Sequence, residues 1–317
     1  MRKIVSAARS IHGSFVAFRN NNAPLVGLLY NPAVPSVLEE AGALVEYIEI
    51  APEQLSFGPA RNGPSSRFHY VNQARETLKK CAKGRVVAGH GNGLSLLSAM
   101  PLEEYLLRAT AVAAHDMDFA WYSECLSLPP LLHRGMNTRA GRPPFTFNEN
   151  TFDILREKLA RVREALGIPL MLENGCISAS AANMDMSEPE FLNRLYRDLG
   201  CGILLDLHTV YLNWRNGGPT PQKYLEELDP AAVHEIHLAG GDEPTGFHTR
   251  PRSYRTPPEV WSWAFEFVPR YKNLRAITFD FDEKHFDHLG VTAIANELKC
   301  MHLLAHLVIR PREAAYA

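Results

Sequence analysis

Short apolar runs recur along this chain, each bounded by turn residues and separated by longer stretches with a three-to-four-residue apolar period. Eight of the runs have the length and β-branched or aromatic content of strands. They are Pro24–Leu29 (PLVGLL), Tyr47–Ile50 (YIEI), Arg85–His90 (RVVAGH) and Phe119–Glu124 (FAWYSE), then Pro169–Asn174 (PLMLEN), Gly202–Leu207 (GILLDL), Val233–Ala239 (VHEIHLA) and Arg275–Phe281 (RAITFDF). The intervals carry helical stripes. Phe152, Leu155, Leu159, Val162 and Leu166 fall on one helix face, and Gly167-Ile168-Pro169 ends it. Ser187 and Glu190 form a capping box, with Phe191, Leu195 and Leu199 continuing the apolar face behind it. Further helices are predicted over 102–112, 258–268 and 291–307.

Strands alternating with helices imply parallel pairing, because parallel neighbours need long crossovers. Eight strands close a barrel, so the predicted fold is a (β/α)₈ TIM barrel over residues 24–310, with an N-terminal extension (1–23) and a short tail (311–317). A doubly wound open sheet is the alternative, but no strand leads into G-x-G-x-x-G or a P-loop. The Pro/Gly-rich stretches 56–66 and 127–146 are predicted as long loops over one barrel mouth, where long loops tend to be functional.

Composition narrows the class. The chain has 317 residues, 46% hydrophobic and 21% charged, as in an ordinary soluble protein. A net charge of −2 offers no field for nucleic acid or anionic lipid. No run reaches the roughly 18 apolar residues of a membrane span. Five scattered cysteines without C-x-x-C spacing argue against a disulfide framework and for a cytoplasmic location.

Polar residues recur where the predicted strands end: His90, Glu124, Glu173 with Asn174, Asp206 followed by His208, His237, and Asp280 with Asp282. In a barrel these ends converge on the C-terminal mouth, where barrel enzymes place their active sites. Singly, a strand-end histidine is ordinarily a hydrogen-bonded rim residue and a strand-end carboxylate a helix cap. As a set they would repel and desolvate one another without a cation among them, so a metal site is expected. The donor types suit iron, manganese or zinc. Glu124 is placed to bridge two ions, and Asp206 and His208, two apart, share a face if the strand continues there. Cys125 and Cys176 follow mouth carboxylates, with packing and function both open. Arg250, Arg252 and Arg255 form a basic cluster able to meet a substrate carboxylate.

The strings that carry these residues resemble one family. YIEIAPE at 47–53, HGNGLSL at 90–96, YSEC at 122–125 and LMLENGCISAS at 170–180 come first. MSEPEFLNRL at 186–195, GCGILLDLHTVYLN at 200–213 and HEIHLAGG at 234–241 follow. In this order they resemble the multinuclear non-heme iron-dependent oxygenases, xylose-isomerase-like barrels related to the methanobactin-biosynthesis oxygenases, over about residues 25 to 310. The resemblance implies metal positions at His90, Glu124, Asn174, Asp206 and His237, with Glu173 beside them. It also implies His248 for a histidine after the seventh strand and Asp280 for a glutamate of the eighth. The chain departs from the pattern at Ala51, Cys125 and Gly241, each in place of a histidine, and at His208 in place of an asparagine.

The function this implies is an iron-dependent oxygenase, with one to three iron ions and O₂ as co-substrate. It would oxidise a Cys, Asp or Asn residue of a precursor peptide in ribosomal-peptide natural-product biosynthesis. The expected metal ligands are His90, Glu124, Asn174, Asp206, His208, His237 and His248, with Asp280, Glu173 and Cys125 as catalytic candidates. A small partner protein that recognises the leader peptide is also expected. Two other readings stand beside it: a redox-neutral metal enzyme of isomerase or phosphodiesterase type, and a non-catalytic barrel that binds a peptide or protein partner.

Overall fold

The computed structural model describes residues 23–57, 69–70, 72–98, 100–126, 146–175, 185–241 and 252–308. Eight strands form within two residues of the predicted boundaries: β1 (Leu25–Leu29), β2 (Tyr47–Ile50), β3 (Val86–Gly91), β4 (Phe119–Cys125), β5 (Leu170–Glu173), β6 (Gly202–Asp206), β7 (Val233–Leu238) and β8 (Ala276–Phe279). Each pairs in parallel with its sequence neighbours, and β1 pairs with β8, so the sheet closes on itself. The chain is a (β/α)₈ barrel. A two-stranded antiparallel ladder, Ser56–Phe57 with His69–Tyr70, lies outside it.

The helices are α1 (Val34–Ala41), α2 (Asn72–Ala82), α3 (Glu104–Met117), α4 (Glu149–Leu166), α5 (Glu188–Leu199), α6 (Leu207–Arg215), α7 (Pro221–Glu227), α8 (Pro258–Phe267) and α9 (Phe286–His306). The stripe predicted in α4 is buried at Phe152, Leu155, Leu159 and Val162, each side chain contributing about 1.5–3 kcal/mol. The helix begins three residues before that stripe, because Asn148 caps it by accepting from the Thr151 amide at 3.0 Å. It ends at Gly167, whose φ of 65° is left-handed and natural only for glycine. The Ser187 hydroxyl accepts from the Glu190 amide at 3.1 Å, the expected cap of α5. In α9 the backbone is non-helical at Gly290, so the regular helix starts at Val291 as predicted.

One boundary differs with consequence. β6 stops at Asp206, whose carboxylate accepts from the Thr209 amide at 2.7 Å and caps α6. His208 therefore sits in the first turn of a helix, and the alternation that would have put it on the same face as Asp206 does not apply. Among the described residues no helix is long and apolar enough to cross a membrane.

Two features set up the mouth of the barrel. Gly27 lies under the Tyr47 ring; a Cβ there would stand 2.3 Å from a ring carbon and 2.4 Å from the Tyr47 carbonyl. On the outer side, Glu188 at the start of α5 accepts from the Gly175 amide at 2.7 Å and from the Tyr224 hydroxyl at 2.9 Å, holding the turn after β5. Burial pushes the Glu188 carboxyl up to about 7.

Gly27→Ala is expected to destabilise the fold by about 1–3 kcal/mol through overpacking, read as a lower urea midpoint. Glu188 binds its proton more tightly folded than unfolded. Its contribution is therefore complete below the ordinary value of 4.5 and is lost as pH rises to about 7. Glu188→Gln should remove that slope. The difference in unfolding free energy between variant and parent should grow in the variant's favour by up to roughly 3 kcal/mol from pH 4.5 to 7 and stay flat above it.

Candidate metal centre

Alternation along the strands sorts their side chains into layers inside the barrel. The lower layer is mostly apolar: Tyr47, Ala88, Trp121, Met171, Leu204 and Ala276. Its one carboxylate, Glu235, accepts from Trp121 Nε1 at 2.9 Å and the Tyr47 hydroxyl at 3.0 Å. Two residues further along each strand stand Glu49, His90, Ser123, Glu173, Asp206, His237 and Thr278, all buried. This polar layer faces the C-terminal mouth.

Hydrogen bonds in that layer fix which atoms are available to bind. Ser123 Oγ lies 2.8 Å from His90 Nδ1, and its own proton has the Gly89 carbonyl (3.2 Å) and Glu49 Oε1 (3.4 Å) to go to. His90 therefore donates from Nδ1, which leaves a lone pair on Nε2. His90 Nε2 stands 3.6 Å from Glu173 Oε2. His237 meets Glu49 Oε2 through Nε2 at 2.8 Å, and its buried Nδ1 has no hydrogen-bond partner among the described residues. One ligand atom each from His90, Glu173 and His237 lie within 4.8 Å of one another. Glu49, Glu235 and His237 form a second such group, deeper in the barrel.

The electrostatics make this layer acidic. Burial would raise the Glu49 carboxyl, but His237 beside it prevails and holds it below its ordinary value. Burial would lower the His237 imidazole; Glu49 and its other acidic neighbours push it up instead. Glu235 is raised by burial and then by the charge on Glu49. Several carboxyl groups face one another in a dry interior here, and a cation among them would offset their mutual repulsion. One nitrogen of His237, the lone pair on His90 Nε2 and the Glu173 carboxylate fit a divalent metal as two nitrogens and one oxygen, the metal taking the place of the proton that the acidic neighbours hold on His237.

The other expected site residues have different positions. Glu124 alternates with Ser123 and Cys125 and faces away from the barrel axis. It accepts from the Leu94 amide at 2.8 Å and from the Tyr122 hydroxyl, and so anchors the turn after β3. Burial, then the charge on Glu53, pushes its carboxyl up to about 8. It is not brought together with His90 and His237. Asn174 braces β6 by accepting from the Asp206 amide at 2.7 Å and donating to the Asp206 carbonyl at 3.2 Å. Asp206 shares the inward parity of Leu204 and pairs in register with His237 while it caps α6. His208 directs Nε2 to the Gly241 carbonyl at 2.8 Å and stacks on Tyr211. Asp280, just past β8, is ion-paired with Arg252. Cys125 stands beside His90 and Glu173. His248, Cys176 and Arg250 lie outside the described residues.

Glu49, Ser123 and Glu235 were absent from the sequence-based set. Their signal was present, since a carboxylate or hydroxyl in the middle of an apolar strand, at the parity of a strand-end histidine, must point into the barrel. A cavity of about 390 Å³ opens above the layer, lined by Leu29, Glu53, His90, Cys125, Glu173 and Arg252 among others.

The fold is shared with solved enzymes. D-psicose 3-epimerase from Clostridium cellulolyticum, solved with D-tagatose, superposes with a TM-score of 0.55 at 12% identity, over 90% of this chain and 100% of that one. Endonuclease IV from Thermus thermophilus superposes at 0.53 with 17% identity, over 89% and 99%. Both are xylose-isomerase-like barrels, and at that identity the likeness speaks for the fold alone. In sequence, the UPF0276 protein of Haemophilus influenzae is 31% identical over 207 residues, 63% of this chain and 60% of that protein. A UPF0276 protein of Anaeromyxobacter is 30% identical over 218 residues, 67% of this chain and 74% of its own length. The family described as RiPP precursor modification enzyme MbnB/TglH/ChrH matches residues 25–301, the stretch that builds every barrel strand and carries every donor of the polar layer. With most of its 317 residues inside that match, the chain belongs to the MbnB/TglH/ChrH family of RiPP precursor modification enzymes.

Proposed function

We propose that this chain is an iron-dependent oxygenase that oxidises one residue of a precursor peptide. The observation that carries the reading is the buried convergence of His90, Glu173 and His237 within 4.8 Å. Two imidazoles and one carboxylate form the donor set associated with non-heme iron(II) and open coordination positions. Iron(II) held there would supply the electron-transfer chemistry that reaction with O₂ requires. The first iron's protein donors would be His90, Glu173 and His237. Asp206, opposite His237 in register, and His248 are the candidates for further coordination. Glu124, Asn174 and His208 serve in this reading as supports of the surrounding backbone.

The remaining residues prepare the reaction space. Hydrogen bonds to Ser123 and Glu49 fix the orientation of the two imidazole rings. Leu29 and Leu126 give the cavity an apolar wall that displaces water. The cavity of about 390 Å³ admits a side chain and its flanking backbone, at the lower end of small-molecule pockets. Arg252, held by Asp280, presents a fixed cation at the rim where a substrate carboxylate would be paired and oriented. Asp280 acts there through Arg252. The reading includes a small leader-recognition partner and a cytoplasmic setting, which keeps Cys125 and the iron reduced.

Elemental analysis of anaerobically purified protein is expected to find near-stoichiometric iron, lost in His90→Ala and in His237→Ala. Glu124→Gln, the neutral isostere of a carboxyl raised to about 8, should retain it. Zinc or manganese in its place would favour a redox-neutral metal enzyme. No metal after reconstitution would leave a barrel used for binding.

A further inference from the structure

The Cys125 thiol is half-buried at the end of β4, on the same inward face as Ser123. Its sulfur lies 3.4 Å from His90 Nε2 and 2.5 Å from Glu173 Oε2, and those two atoms are themselves 3.6 Å apart. Donors held about 2.0–2.3 Å from a common tetrahedral ion stand roughly 3.5 Å from one another, the separation of His90 Nε2 from both the Cys125 sulfur and Glu173 Oε2; the sulfur and Oε2 are in closer contact than that and would move apart around an ion. All three atoms are electron-rich. Ser123 accepts the His90 Nδ1 proton in a hydrogen bond, so Nε2 offers a lone pair, and the Glu173 carboxylate offers another. One thiol proton faces both. One ring nitrogen of His237 belongs to the same convergence of ligand atoms.

We infer that Cys125 is a thiolate ligand of the metal centre, which makes its donor set mixed sulfur, nitrogen and oxygen. This rests on the metal reading above and adds a donor to it. On binding, the S–H bond breaks, the sulfur lone pair goes to the ion, and the proton leaves to solvent through the cavity that Cys125 lines. No oxidation state changes. A sulfur donor biases the site towards iron, cobalt or zinc and away from manganese or magnesium. The other described cysteines cannot take this place: Cys81 is on α2, Cys201 precedes β6 and accordingly lies at the opposite end of the barrel, and Cys300 is on α9.

The test is anaerobic titration of the metal-free full-length protein with cobalt(II), followed by optical absorption. The parent protein and Cys176→Ser are expected to show a near-ultraviolet sulfur-to-cobalt charge-transfer band. Cys125→Ser should lose that band while the visible bands of bound cobalt remain. In the unmutated protein, alkylation of Cys125 by iodoacetamide, followed by mass spectrometry, should slow by more than about tenfold once cobalt is bound. Cobalt that binds in a His90-dependent way without the charge-transfer band, a band that survives in Cys125→Ser, or alkylation that cobalt does not slow would each overturn the thiolate assignment and leave the metal reading standing. Failure of both cobalt and iron to bind would overturn the two together.

Discussion

The contact between Glu49 and His237, 2.8 Å long and wholly out of solvent, is the hinge of this barrel's interior. It joins β2 to β7 across the axis and commits a carboxylate to a layer where charge is costly. Everything around it answers that cost. Ser123 and Thr278 place hydroxyls within reach of Glu49, at 3.4 and 3.3 Å. Below it, Tyr47 and Trp121 satisfy Glu235 and seal the apolar floor. Removing one partner of such a pair leaves the other charge uncompensated, typically at about 3–5 kcal/mol. Here the arrangement fixes the orientation of the His237 ring within reach of His90 and Glu173.

A second set of acidic groups lies outside the barrel, Glu124 turned outward by strand alternation and Glu188 placed at the start of α5. Glu124 and Glu188 each sit near a mouth loop, are buried, and hold a proton well above the ordinary carboxylate range. They are anchors. Glu124 ties the turn after β3 to β4, and Glu188 ties the turn after β5 to α5 and α7. Lys158 does comparable work from α4, donating to the carbonyls of Ser95 and Ser98. The inward acids line the candidate site, and the outward acids hold the loops that rim it.

The architecture was legible because it follows from local rules. Eight apolar runs with turn residues between them specify eight strands, and helical spacing between them specifies parallel closure. The caps at Ser187 and the stop at Gly167 were visible as letters. The polar strand ends at His90, Glu173, Asp206 and His237 were visible too, and they share one buried layer. Less legible was the division within that list. Glu124 stands at a strand end like the others, yet its parity turns it outward; His208 follows a strand end, yet the chain has already begun to coil.

What the sequence by itself determined was the barrel and the side of it on which polar chemistry collects, since both depend on periodicity within short segments. Only the tertiary structure decided which residues come together. Glu49, His90, Cys125, Glu173 and His237 lie on five different strands, and no spacing along the chain encodes the distances between them. Those distances come from closing the sheet. Closure sets the register of each strand against the next and brings one inward position from each strand to a common height on the axis.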